Sequence, residues 1–128
     1  MYEIDRAVLI VKPRQPYLDW ARSVNRECEM FTLEQLRCDC SSYLVPQIWQ
    51  DSDAEEIVEE CYEVIFEEQL EAWDTDESHW PQERDLETFR QWFDCEWHSL
   101  VFDLCAPPIR DVEDVEAVEE EGPATPAS

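Results

Sequence analysis

Residues 94–104 read DCEWHSLVFDL, and whether they form a strand or prolong a helix decides the kind of fold this chain has. As a helix, they would extend a seam of Leu86, Phe89, Phe93, Trp97, Leu100 and Leu104. As a strand, His98, Leu100, Phe102 and Leu104 would share one face, with Cys95, Trp97 and Val101 on the other. The stretches around it arbitrate. RAVLIVK at 6–12 is a β-branched apolar run stopped by Pro13 and Pro16, and it reads as a central strand covered on both faces. SSYLVP at 41–46 reads as a second short strand ended by Pro46. A strand at about 95–104 supplies the third member that the sheet otherwise lacks.

Helices fill the gaps. PYLDWARSV at 16–24 begins on a proline and offers a turn or so of amphipathic helix. Thr32 with Gln35 makes a capping box for a helix through about residue 38, and Ser52 with Glu55 makes another that opens a helix at about 53–73. Trp80-Pro81 is expected to start a further helix at about 81–93. The predicted fold is α+β: a small mixed or antiparallel sheet of about three strands packed against two main helices. Residues 1–105 form the single domain, and 106–128, APPIRDVEDVEAVEEEGPATPAS, read as a disordered acidic tail.

The long helix carries the chain's most unusual chemistry. Residues 55–73, EEIVEECYEVIFEEQLEAW, hold eight glutamates and no base. At 100° per residue, Ile57, Val58, Cys61, Tyr62, Val64, Ile65, Ala72 and Trp73 fall within about half the circumference. Glu56, Glu59, Glu60, Glu63, Glu67 and Glu71 lie opposite. Eight pairs of these glutamates are three or four residues apart, each costing about 0.2–0.5 kcal/mol, so together about 2–4 kcal/mol at low salt. Burying Ile57, Val58, Ile65 and Phe66 returns roughly 1.5–3 kcal/mol apiece. The helix forms in spite of its charge, so the acidity points to something outside folding.

The whole chain is acidic, with 33 acids against nine bases and a net charge of −24. Residues 1–40 are nearly balanced, with seven acids and six bases, whereas residues 41–105 hold nineteen acids and two bases. Such a field disfavours nucleic acid and anionic membrane and favours a basic protein surface. One lysine beside eight arginines would also suit a proteome with a general compositional bias. The N-terminus lacks the pattern of a secretory leader, and no stretch approaches the roughly 18–20 apolar residues of a membrane helix, so the six cysteines read as reduced thiols of a cytoplasmic protein.

Catalysis is poorly supplied. The one glycine is Gly122, in the tail, so no glycine-rich phosphate loop, dinucleotide turn or nucleophile elbow belongs to the folded part. Cys95 and His98 would share a helix face but would sit on opposite faces of a strand. Cys38 and Cys40 together with Cys95 and His98 make a poor zinc pattern, and Asp76-x-x-His79 is a single, isolated metal-like pair. No catalytic residue, metal ligand or cofactor is assigned. The remaining constellation is a basic corner of Lys12 and Arg14 with Tyr17 and Trp20, which reads either as a rigid strand exit or as a docking patch for an acidic partner or a second copy.

Taken in order, VKPRQPYLDW (11–20), TLEQLRCDCSSYLVP (32–46), the glutamate-rich helix closing at Trp73, Trp80-Pro81 and FRQWFDCEWHSLVFDL (89–104) resemble a family of small acidic bacterial proteins with a domain of unknown function. The likeness spans about residues 6–104. It implies a bacterial cytoplasmic setting and the strand reading of 95–104, and it transfers no catalytic residue. Cys38, Cys40, Cys61 and Cys95 stand where that pattern demands no cysteine, which speaks against a metal or redox role. The expected function is a non-catalytic protein-interaction module that meets a basic surface through Glu56, Glu60, Glu63, Glu67 and Glu71, with Lys12, Arg14 and Trp20 as a second contact. Two alternatives stand beside it: a nucleic-acid mimic that occludes a DNA- or RNA-binding protein, and a thiol- or metal-dependent enzyme using Cys95 and His98.

Overall fold

The computed structural model describes residues 1–115. In chain order these form β1 (Tyr2–Glu3), β2 (Ala7–Pro13), α1 (Gln15–Val24), a 3-10 turn at Arg26–Met30, α2 (Leu33–Cys38), β3 (Ser41–Val45), α3 (Asp51–Glu71), a 3-10 turn at Glu77–His79, α4 (Leu86–Trp92), β4 (Phe93–His98), β5 (Phe102–Asp103) and α5 (Val112–Val115). The architecture is α+β. β2 lies between β3 and β4, antiparallel to both, with Leu9 opposite Tyr43 and Trp97. Of the segment expected to be a disordered tail, residues 106–115 include the single turn α5, and residues 116–128 lie outside the described residues.

The deciding stretch is strand, but in two pieces. Phe93–His98 joins the main sheet, and Phe102–Asp103 pairs instead with β1, a strand too short to leave a periodic signal. The two ladders are one residue out of step: four residues separate Glu3 from Val8, and three separate His98 from Phe102. Together β1–β2 and β4–β5 make a long ribbon with one extra residue near Asp5, the kind of irregularity that bends a strand and increases its twist.

β2 is not covered on both faces. Ala7, Leu9 and Val11 are essentially inaccessible beneath the helices, while Val8, Ile10 and Lys12 on the other face are only half-buried. An apolar run cannot distinguish these cases, because β-branched residues suit a half-covered face as well. The core joins this inner face to Tyr17 from α1, to Ile57, Val58, Ile65, Phe66 and Leu70 from α3, and to Phe89 from α4. Phe66 sits at its centre, with the rings of Phe89, Trp92 and Phe93 at centroid distances of 5.8, 5.5 and 5.7 Å. A smaller cluster of Leu18, Ala21 and the fully buried Cys28 lies under the first 3-10 turn.

Local signals explain most boundaries. Thr32 and Gln35 form the expected reciprocal box, at 3.1 and 2.9 Å, and start α2. α1 runs ten residues, well beyond one turn, because Tyr17, Leu18 and Ala21 recur at helical spacing and bury. α4 begins at Leu86, not at Pro81: the Asp85 carboxylate accepts the Thr88 N–H at 2.8 Å and fixes the start there. Phe93 ends α4 in extended geometry, and β4 follows without a loop. Among the described residues no backbone has positive φ, so α1, α2 and α4 all leave directly into non-helical, negative-φ chain.

Candidate interaction surface

α3 starts two residues before the expected position. The capping acid is Asp53, whose carboxylate accepts the N–H groups of Trp49 at 2.9 Å and Gln50 at 3.2 Å. Asp51 and Asp53 in the first turn suit the positive end of the helix dipole, but the last turn contains no base, so Glu68 and Glu71 oppose the negative end. The helix is held there by packing and by polar clamps. The Tyr17 hydroxyl donates to the Gln69 carbonyl at 2.6 Å, and the Asn25 amide donates to the Trp73 carbonyl at 3.0 Å. The buried Gln69 side chain donates to Ser41 and Tyr43, and the Tyr43 hydroxyl donates to Glu68. Burial, followed by the bond to Glu68, pushes the Tyr43 phenol up to about 12, and burial raises Tyr17 further, so both stay protonated and keep donating.

The buried stripe of α3 winds around its axis. Ala54, Ile57 and Val58 face the core in the first half, whereas Ile65, Phe66, Gln69 and Leu70 do so in the second. At 100° per residue the centre of the stripe turns by roughly a quarter of the circumference between them. Val64, expected on the apolar face because it aligns with Ile57, is therefore left 72% exposed, and Ala72 is exposed as well.

Glu56, Glu60, Glu63, Glu67 and Glu71 are all exposed, as are Glu55, Glu59 and Glu68. The ridge from Glu56 to Glu71 runs about 22 Å at 1.5 Å per residue. Among the described residues, none of the α3 glutamates makes an ion pair. Two arginines lie nearby without neutralising it. Arg84 shares a shallow depression with Glu63 and Glu67, but its guanidinium rests over the Trp80 ring, 5.6 Å from the centroid, and donates to the Pro81 carbonyl at 2.7 Å. Arg90 lines a cleft of about 350 Å³ with Asp51, Glu55, Cys95 and Trp97.

The basic corner is occupied from within the molecule. Lys12 Nζ lies 2.8 Å from Glu96, Arg37 lies 3.0 Å from Asp94, and Arg14 lies 3.9 Å from the same Asp94 while donating to the Arg90 carbonyl at 3.0 Å. The hydrogen bond to Glu96 raises the Lys12 ammonium above its ordinary value, and Glu96 is lowered by Lys12 and His98 in turn. Trp20 is half-buried against Tyr17 and Trp92 and donates its indole N–H to the His79 carbonyl at 3.0 Å, which ties α1 to the second 3-10 turn. Nothing local in the sequence marks Asp94 and Glu96 for this role, because they lie more than fifty residues from the bases they meet.

The chemical constellations fall apart in space. Cys95 faces the core side of β4 and His98 the outer side, where it lies 2.7 Å from Glu96. Burial pushes the Cys95 thiol up to about 11, which leaves almost no thiolate near neutrality. Among the described residues no three His, Cys, Asp or Glu side chains converge as metal ligands, so Cys38, Cys40, Cys95 and His98 do not form a four-ligand set. His79 is clasped by acids instead. Its Nδ1 lies 2.6 Å from Asp74, and its Nε2 lies 3.6 Å from Asp76. The bond to Asp74 raises the imidazole above its ordinary value, while hydrogen bonding lowers both carboxyls.

Fold and surface together define a two-layer α+β protein with a helical layer whose outer face is anionic and a three-stranded sheet on which Lys12, Asp94, Glu96 and His98 are paired. No family model, curated protein or solved structure matches this chain. Among the described residues, no helix is long and apolar enough to cross a membrane.

Proposed function

We propose that this chain is a non-catalytic interaction module of the bacterial cytoplasm that docks a basic protein surface through Glu56, Glu60, Glu63, Glu67 and Glu71. The observation that carries this reading is the ridge itself: five exposed carboxylates on one rigid helix, none paired with a base among the described residues. Held on a helix, they are presented without the ordering cost that a flexible acidic segment incurs on binding. Their field steers a cationic partner inward and weakens with salt. Cys95 and His98 lie on opposite faces of β4, so that pair cannot act together as nucleophile and base.

Capture from a bacterial lysate, with partners identified by mass spectrometry, tests the reading. Basic proteins should be retained at low salt, released as salt rises, and lost when Glu60, Glu63 and Glu67 are all changed to Gln. Partner recovery that is indifferent to both salt and these substitutions would refute it.

A further inference from the structure

We propose that the cleft between α3, α4 and the edge strand β4 binds a free basic amino acid, arginine or lysine. One wall is the stripe Asp51, Ala54, Glu55 and Val58, which recurs at helical spacing along the first turns of α3. Leu9 and Trp97, opposite each other on the inner face of the sheet, supply the floor beside the half-buried Cys95. Arg90, in the last turn of α4, completes the lining. Leu9, Ala54 and Val58 are buried, whereas the charged residues Asp51, Glu55 and Arg90 are exposed.

The three charges select the occupant. Among the described residues, Asp51, Glu55 and Arg90 make no ion pair with one another or with any other group, although they share one cleft. A ligand that matches them carries one carboxylate for Arg90 and two cationic groups for Asp51 and Glu55. A basic amino acid has this set: an α-carboxylate, an α-ammonium and a cationic side chain. A plain amine would leave Arg90 facing a like charge. A plain carboxylic acid would meet two carboxylates and the repulsion of a molecule of net charge −24.

Size and surface agree with this choice. The cleft measures about 350 Å³, and at about 30 Å³ per water it takes about a dozen non-hydrogen atoms, the size of arginine. Two side chains four residues apart on a helix stand about 5–6 Å from each other at Cβ, a span that the methylene stem of arginine or lysine covers. That stem suits the apolar floor of Leu9, Val58 and Trp97, as long cationic side chains lie along apolar surface with the charged head in water. An apolar floor with a few convergent charged groups is the usual make-up of a small-molecule site. None of these residues belongs to the ridge of Glu56, Glu60, Glu63, Glu67 and Glu71, so the two surfaces are separable by mutation.

An NMR titration of the full chain at physiological salt tests this, following the Trp97 indole N–H, whose signal is assigned from Trp97→Phe. The probes are arginine, lysine, agmatine (arginine without its carboxylate) and norleucine (lysine without its side-chain amine). Arginine and lysine should move the Trp97 signal to saturation with a Kd of about 1 mM, the affinity expected for about a dozen atoms at ordinary ligand efficiency. Agmatine and norleucine should bind at least about tenfold more weakly, as should arginine to Arg90→Gln and to Glu55→Gln, since each change removes a charged contact. Both variants should keep the parent far-UV circular dichroism. Glu60→Gln, Glu63→Gln and Glu67→Gln together should leave arginine binding in place. An unmoved Trp97 signal in excess arginine would overturn the proposal. So would agmatine binding as tightly as arginine, which would reduce the effect to general attraction of cations, or undiminished binding by Arg90→Gln.

Discussion

Neutralising the middle of the acidic ridge should make the protein more stable as it removes the proposed contact. Glu60, Glu63 and Glu67 take part in five of the eight like-charged pairs on α3: with Glu56, with Glu59, with each other twice, and with Glu71. At about 0.2–0.5 kcal/mol per pair, changing all three to Gln relieves roughly 1–2.5 kcal/mol at low salt. No compensating loss is expected, because the three side chains are exposed and make no ion pair among the described residues, and Gln matches Glu in shape and helix propensity. Urea unfolding of the full chain and the triple variant measures the difference, with equal m values showing that the same surface is exposed in both. Repeating the titration at about 1 M salt, where the Debye length is about 3 Å, should shrink the gain to a few tenths of a kcal/mol. A variant less stable than the parent, or a gain of the same size at both salts, would show that these carboxylates are not mutually repelling surface charges.

Phe66→Ala should cost about 3–5 kcal/mol, because Phe66 is fully buried among three aromatic rings, whereas the exposed Val64→Ala should change stability by less than about 0.5 kcal/mol in the same denaturant assay. In a thiol titration of the folded chain, Cys38 and Cys105 should react promptly, the half-buried Cys95 more slowly because its thiol is pushed up to about 11, and the buried Cys28 only after unfolding; prompt labelling of Cys28 would contradict its burial. An NMR titration should place the His79 midpoint above about 6.5, with Asp74→Asn bringing it down. Since the folded-state value is the raised one, the His79 clasp contributes fully below the ordinary value of about 6.5 and is lost as the pH climbs from there through the higher folded-state value; an unmoved midpoint in Asp74→Asn would rule the clasp out.

The parts of this fold that were legible in the sequence are those decided within a few residues. Thr32 and Gln35 announce α2 because both halves of the cap lie within one turn. β2 announces itself by β-branched density and by the prolines that stop it, and α3 by eleven residues or more of helical spacing. Competing local signals gave the errors at the helix starts. Ser52 with Glu55 and Gln50 with Asp53 are overlapping candidates, and the carboxylate at Asp53 wins by taking two N–H groups at once. The break in the ribbon after His98 depends on β1, two residues with no pattern of their own. In the candidate site the glutamate ridge was readable, since helical periodicity alone puts it outside. The fate of Lys12 and Arg14 was not, because Asp94 and Glu96 reach them only through antiparallel pairing of β4 with β2. The lesson of Val64 is similar: a straight helical wheel ignores the way a long helix crosses a twisted sheet.

That no described residue has positive φ suits a chain almost without glycine, and this scarcity has a consequence for the denatured chain. An ordinary domain is about 7% glycine, whereas the first 121 residues here contain none. Each side-chain-bearing residue in place of glycine at a compatible position narrows the unfolded ensemble by about 0.4–1 kcal/mol. Several such positions, spread along the chain, restrict the disordered state by an amount comparable to the mutual repulsion along α3. The molecule tolerates its crowd of glutamates partly because its random-coil alternative is less free than most.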